Sequence, residues 1–135
     1  MKIFAPAKLN MFLKVLGRRS DGYHIIRSGI TFIDLYDEVE INISDKMCIR
    51  YKGPFKPKSD TYDDCIILKT LKFLGVNKNL NLDITVTKNI PVQGGLGSAS
   101  TNAAALIHGL EVMKLITKKE PNNYTMLGAD IPCFL

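Results

Sequence analysis

The sequence predicts an α+β fold. Strand-like alternation fills the first part of the chain, two stretches of helical periodicity come later, and one further strand separates them. The 135 residues are the usual size of one domain, and 46% of them are hydrophobic against 23% charged. A chain of that make-up can bury a core without disulfides or metals, and it is neither disordered nor low in complexity.

The elements follow in order. Between residues 2 and 16, Ile3, Ala5, Ala7, Leu9, Met11, Leu13 and Val15 fall on odd positions. Period two predicts a strand with its odd face in the core and with Lys8 and Asn10 together on the other face. Arg18 to Gly22 contains Asp-Gly and predicts a turn. Residues 23–35 read as a second strand, Asp34 to Asp37 as a turn, and Val39, Ile41 and Ile43 as a third strand. Met47, Ile49 and Tyr51 make a short fourth. Gly53, Pro54 and Pro57 mark a loop. From Tyr62 to Leu74 the spacing turns helical, and Gly75 closes the helix. Leu82, Ile84 and Val86 alternate again, and Pro91 ends that strand. Residues 99–116 are helical, with Ala103, Leu106, Ile107, Leu110 and Met113 on one face. The tail from Pro121 carries the weakest pattern.

Charge and cysteine usage narrow the function classes. Eighteen basic and thirteen acidic residues leave a net charge of +5. The basic residues are scattered, with Arg18–Arg19 and Lys118–Lys119 as the adjacent pairs. This reads as a mixed solvated surface rather than a nucleic-acid stripe. Cys48, Cys65 and Cys133 have no C-x-x-C spacing, so neither a zinc site nor a disulfide framework is indicated. Free thiols suggest a cytoplasmic protein. The N-terminal stretch is interrupted by Pro6, Lys8, Asn10 and Lys14, unlike a signal peptide. No apolar run approaches the roughly 18 residues of a membrane span.

Two features carry chemistry. The first is the segment Pro91, Val92, Gln93, Gly94, Gly95, Leu96, Gly97, Ser98, Ala99, Ser100 and Thr101, between a strand and a helix. Glycines let the backbone approach a ligand, the serines and the threonine add donors, and the helix N-terminus adds free amides. The order of residues excludes a Walker A loop and a G-x-G-x-x-G fingerprint. A tight turn with Ser100 or Thr101 capping the helix would also explain it. The second feature is a pair of charges. Lys8 lies in an apolar strand beside Asn10, and Asp130 lies in Gly128-Ala129-Asp130-Ile131-Pro132. Alone, Lys8 reads as a strand-edge residue and Asp130 as a turn former. Brought together, they could take a proton from a hydroxyl and stabilise a transferring phosphoryl group.

Read in order, Pro6-Ala7-Lys8-Leu9-Asn10, Asp21-Gly22-Tyr23-His24, the loop from Pro91 into Asn102-Ala103-Ala104, and Gly128-Ala129-Asp130-Ile131-Pro132 form a specific set. The set resembles the GHMP kinase superfamily, and within it the 4-diphosphocytidyl-2-C-methyl-D-erythritol kinases, from about residue 3 to residue 135. The resemblance implies an N-terminal, ATP-binding domain over residues 1–135, similar to a domain of ribosomal protein S5, with the family's C-terminal domain missing. It implies ATP-dependent phosphorylation of the 2-hydroxyl of a diphosphocytidyl alcohol, a small-molecule substrate, in the non-mevalonate isoprenoid pathway. Lys8 and Asp130 would be the catalytic pair, residues 91–101 would hold ATP with Mg²⁺, and Asn10, Tyr23 and His24 would bind the substrate. No nucleic-acid or membrane partner is implied. The alternatives are another GHMP small-molecule kinase, or an S5-like domain that binds RNA.

The sequence departs from that family in several places. Gln93, Ser98 and Ala99 interrupt a glycine run, and a serine at 98 either crowds the phosphates or donates to them. Cys65 stands where the family usually has Asn, and a cysteine is a poor helix cap. Residues 117–125 read as a shortened helix. With the second domain missing, half of the ligand cleft is lost, so the chain is either a working half or an inactive remnant. The face left uncovered would favour self-association.

Overall fold

A computed structural model describes residues 1–20, 22–58, 65–76, 80–92, 94–117 and 119–135. Asp21 and Gln93, both named above, lie outside the described residues, as do residues 62–64 of the predicted helix. The elements are β1 (Lys2–Arg18), β2 (His24–Ile43), β3 (Cys48–Lys52), α1 (Ile66–Leu74), β4 (Leu82–Thr87) and α2 (Ser98–Val112). Two short 3-10 turns, Pro121–Tyr124 and Ile131–Phe134, follow. The described strands form one sheet in the order β1-β2-β4-β3. β1 and β4 both run antiparallel to β2, while β3 pairs parallel to β4. This is the α+β arrangement the alternation predicts.

The second and third predicted strands are a single strand. The segment Asp34 to Asp37 does not turn: β2 runs through it, and pairing jumps from Pro6↔Tyr36 to Ala7↔Ile33. Asp34 and Leu35 are extra residues opposite β1, so the turn-like composition is absorbed as a bulge. Further register shifts fall at Met11 and Leu16.

The odd face of β1 lies in the core only for its first part. Ala5 and Ala7 are buried, but Leu9, Met11, Leu13 and Val15 are exposed. The cause is the reach of the sheet. β4 pairs only with Glu38–Ile43 of β2, so the outer part of the β1–β2 hairpin is a two-stranded ribbon. Phe12, Leu16, Tyr23, Ile25 and Ile26 add to its exposed apolar surface.

The core sits below the inner sheet. Val39, Ile41, Leu82, Ile84 and Val86 face Ile67 and Leu71 of α1 and Leu106 and Leu110 of α2. The opposite side of α2 presents Ala103, Ala104 and Ile107 to Tyr124 and Ile131 of the tail. Packing on two sides explains why α2 is buried nearly all round rather than along one stripe. It also ties the weakly patterned tail to the body of the protein. α1 ends at Gly75 in the left-handed conformation, with its N–H returned to Leu71 and Lys72 carbonyls. No helix among the described residues is long and apolar enough to cross a membrane.

Candidate active site

β1 is an edge strand, and the glycine loop covers part of its free edge. The Lys8 N–H donates to the Leu96 carbonyl at 3.0 Å. This places the start of α2 against the Lys8 side chain. Gly97 precedes α2 at φ 71°, and a Cβ added there would lie 3.0 Å from Lys8 Cγ and 3.0 Å from Phe134 Cζ. A glycine is therefore required for both the backbone conformation and the space. Neither Ser100 nor Thr101 caps the helix: the cap position is Gly97, with no side-chain cap bond.

Held beneath that glycine, the Lys8 side chain is only 7% exposed. Its ammonium Nζ lies 3.1 Å from Asp130 Oδ2 and donates to Asn10 Oδ1 at 2.8 Å. Asn10 in turn donates to Ser28 Oγ at 2.7 Å, and Ser28 donates to the Phe12 carbonyl at 2.6 Å. The chain of bonds fixes the Asn10 amide and so the lysine head. Asp130 begins the second 3-10 turn but makes no cap bond with its side chain. Its carboxylate is free for Lys8 and is 42% exposed. Residues 122 positions apart thus share one contact.

Two cavities lie near the pair, each reached through a neighbouring residue rather than lined by Lys8 or Asp130. One, of about 440 Å³, is lined by the glycine loop together with Tyr51, Cys65, Ile66 and Lys88. Gly97, against which Lys8 packs, belongs to its wall. Asn102 also lines it, and its buried Oδ1 has no hydrogen-bond partner, leaving an acceptor at the wall. The other cavity, of about 340 Å³, is lined by Arg19, Tyr23, His24, Thr125, Met126 and Ala129. Ala129 is the neighbour of Asp130. Tyr23 and His24 are exposed at its rim.

Sequence reasoning missed a second charge pair, one buried on both sides. Lys88 Nζ bonds to Asp37 Oδ2 and to Ser98 Oγ, with side-chain exposures of 6% for Lys88 and 0% for Asp37. The signal was present. Asp37 continues the buried alternation of Val39 and Ile41, and Lys88 continues that of Leu82, Ile84 and Val86. Opposite charges at the ends of two paired apolar faces mark a buried pair. Cys65 does cap α1, accepting from the Leu68 N–H at 3.4 Å through its sulfur.

The chain matches the family model described as GHMP kinases N terminal domain over residues 65–131, which takes in α1, β4, the glycine loop, α2 and Asp130. The chain belongs to the GHMP kinases. Among its relatives is the 4-diphosphocytidyl-2-C-methyl-D-erythritol kinase of Nitrosomonas europaea, 38% identical over 140 residues, spanning 100% of this chain and 50% of the relative. The enzyme of the same name from Fervidobacterium nodosum is 40% identical over 130 residues, spanning 96% and 46%. A crystal structure of 4-(cytidine 5'-diphospho)-2C-methyl-D-erythritol kinase matches 99% of this chain and 48% of its own, with a TM-score of 0.75 and 27% identity. A mevalonate kinase structure matches the fold with a TM-score of 0.62 at 20% identity. The chain spans about half the length of the curated relatives it matches. In this GHMP kinase chain the glycine loop and the acidic motif meet through Gly97, Lys8 and Asp130.

Proposed function

We propose that residues 1–135 form the ATP-binding domain of a kinase that phosphorylates the 2-hydroxyl of 4-diphosphocytidyl-2-C-methyl-D-erythritol, in the non-mevalonate isoprenoid pathway. The observation that carries this reading is the 3.1 Å contact of Lys8 Nζ with Asp130 Oδ2, packed against Gly97 of the glycine-loop cavity. The relatives named for this substrate, matched over the whole chain, support the choice of alcohol.

In this reading residues 91–101 wrap the ATP phosphates, with backbone amides near the start of α2 as donors. The substrate lies on the other side, its cytosine against Tyr23 and His24 and its alcohol end near Asn10. The hydroxyl oxygen attacks the γ-phosphorus, the bond from that phosphorus to the β–γ bridging oxygen breaks, and ADP leaves. Asp130 takes the hydroxyl proton, and Lys8 orients Asp130 and stabilises charge on the transferring group. Mg²⁺ bound to the phosphates would neutralise their charge, and Ser100, which lines the loop cavity, would be its protein partner, whereas Thr101 is buried outside that cavity. That fits an ion that keeps most of its ligands from water and phosphate. Free Cys48, Cys65 and Cys133 support a reducing, cytoplasmic setting. The exposed apolar ribbon of the hairpin supports self-association with a second copy.

The test is transfer of labelled γ-phosphate from ATP to the diphosphocytidyl alcohol, with mevalonate and homoserine offered in parallel. We expect product from the diphosphocytidyl alcohol alone, and a rate about 10²–10⁴-fold lower in Asp130→Asn. Preference for either other alcohol, or an unchanged Asp130→Asn rate, overturns the reading.

A further inference from the structure

One buried carboxylate closes the glycine loop at both ends. Asp37 Oδ1 accepts the N–H groups of Asn89 at 2.7 Å and Ile90 at 2.8 Å, where the chain leaves β4 for the loop. Asp37 Oδ2 accepts the Ser98 hydroxyl at 3.0 Å, where the chain leaves the loop for α2. Lys88 fills the same oxygen and the Ser98 hydroxyl from the third side. The backbone of Lys88 is itself pinned, with its N–H to the Lys52 carbonyl at 2.7 Å and its carbonyl to the Phe55 N–H at 3.2 Å. Gly53 makes this approach possible: a Cβ there would lie 2.5 Å from the Lys88 carbonyl oxygen. Backbone amides at one end of the loop and a hydroxyl at the other are thus bound to one carboxylate of β2, a strand that takes no part in the loop.

We infer that Asp37 and Ser98 are positioning residues: together they clamp the ends of the loop 91–97, so that Leu96 stays on the edge of β1 and the loop amides keep one arrangement for the triphosphate. The hydroxyl of Ser98 is spent inward, on Asp37 and Lys88, and this answers the question its place in the loop raises. It neither crowds the phosphates nor serves as their donor. It fastens the loop. The role in phosphate binding rests on the proposed kinase function; the clamp itself does not.

The experiment separates the two. Removal of Asp37 would leave Lys88 buried without its counter-charge and could unfold the chain. Ser98→Ala keeps that pair and removes only the hydroxyl, while Ser98→Thr restores it. Amide hydrogen exchange is followed by NMR at Lys8, whose N–H reports whether Leu96 lies on β1. In nucleotide-free protein we expect Lys8 to exchange about tenfold faster in Ser98→Ala than in wild type. We expect Ile41 and Ile84 of the inner sheet to be unchanged and Ser98→Thr to match wild type. Unchanged exchange at Lys8 overturns the clamp, whether or not the protein binds ATP. Calorimetry of ATP and adenosine then tests its purpose. ATP affinity should fall about fivefold in Ser98→Ala with adenosine affinity held within about twofold. Equal losses for both ligands, or no loss for ATP, overturn the role in phosphate positioning. Wild-type protein that binds neither ligand overturns the kinase reading instead, and the exchange result still decides the clamp.

Discussion

Gly97 shows how much one residue decides at this site. Its positive φ starts α2, and the space above its Cα is filled by the Lys8 stem and the Phe134 ring. Gly97→Ala combines a disfavoured backbone conformation with crowding in a packed region. It should lower stability by about 1–3 kcal/mol in urea unfolding. A loss under about 0.5 kcal/mol would show that Lys8 and Phe134 yield without strain. At the same scale, the residue pattern exposed Lys8, Asn10 and Asp130 as candidates, but their meeting was implied only by the family resemblance. Lys8 alone resembles an edge lysine. It is buried because the glycine loop and Phe134 close over it, and those segments lie about 90 and 125 positions along the chain. Pattern along a strand does not register contacts of that range. Asp37 and Lys88 are the converse case. They sat in legible alternations, yet Asp37 next to Tyr36 and Asp34 reads as turn chemistry.

At the scale of elements, long periodic segments were legible and their junctions were not. The helix ending before Gly75 follows from spacing and punctuation, while α2, expected over 99–116, starts at Ser98 and stops at Val112, leaving Met113 as its cap. The predicted break within β2 failed because a bulge keeps both flanking segments paired with β1. Local composition cannot tell a turn from an insertion that the partner strand tolerates. The start of α1 yields a prediction of its own. Cys65 caps with a sulfur 3.4 Å from the Leu68 N–H, a weak acceptor at long range. Cys65→Asn supplies an oxygen in its place and should stabilise the protein by about 0.5–1 kcal/mol in thermal denaturation. A fall in melting temperature would mean that the thiol contributes through packing against the core, where it also sits.

At the scale of the molecule, the fold divides into a packed body and a projecting ribbon. Helices cover the inner sheet, whereas Met11, Leu13, Val15, Ile25 and Ile26 of the ribbon are exposed. Exposed apolar side chains at this density favour association with a second copy. Sedimentation velocity should show the average mass rising with concentration, and Leu13→Lys with Val15→Glu should restore the monomer. A single monomeric species at every concentration would contradict this. The central claim concerns the body, in which the glycine loop lines a cavity and packs through Gly97 against the Lys8–Asp130 pair. Calorimetric titration of the folded chain with ATP tests it most directly. The account predicts saturable binding at one site, weakened at least tenfold by Gly97→Ala. A folded chain that gives no binding heat with ATP, or a Gly97→Ala variant that binds as tightly as wild type, would contradict it.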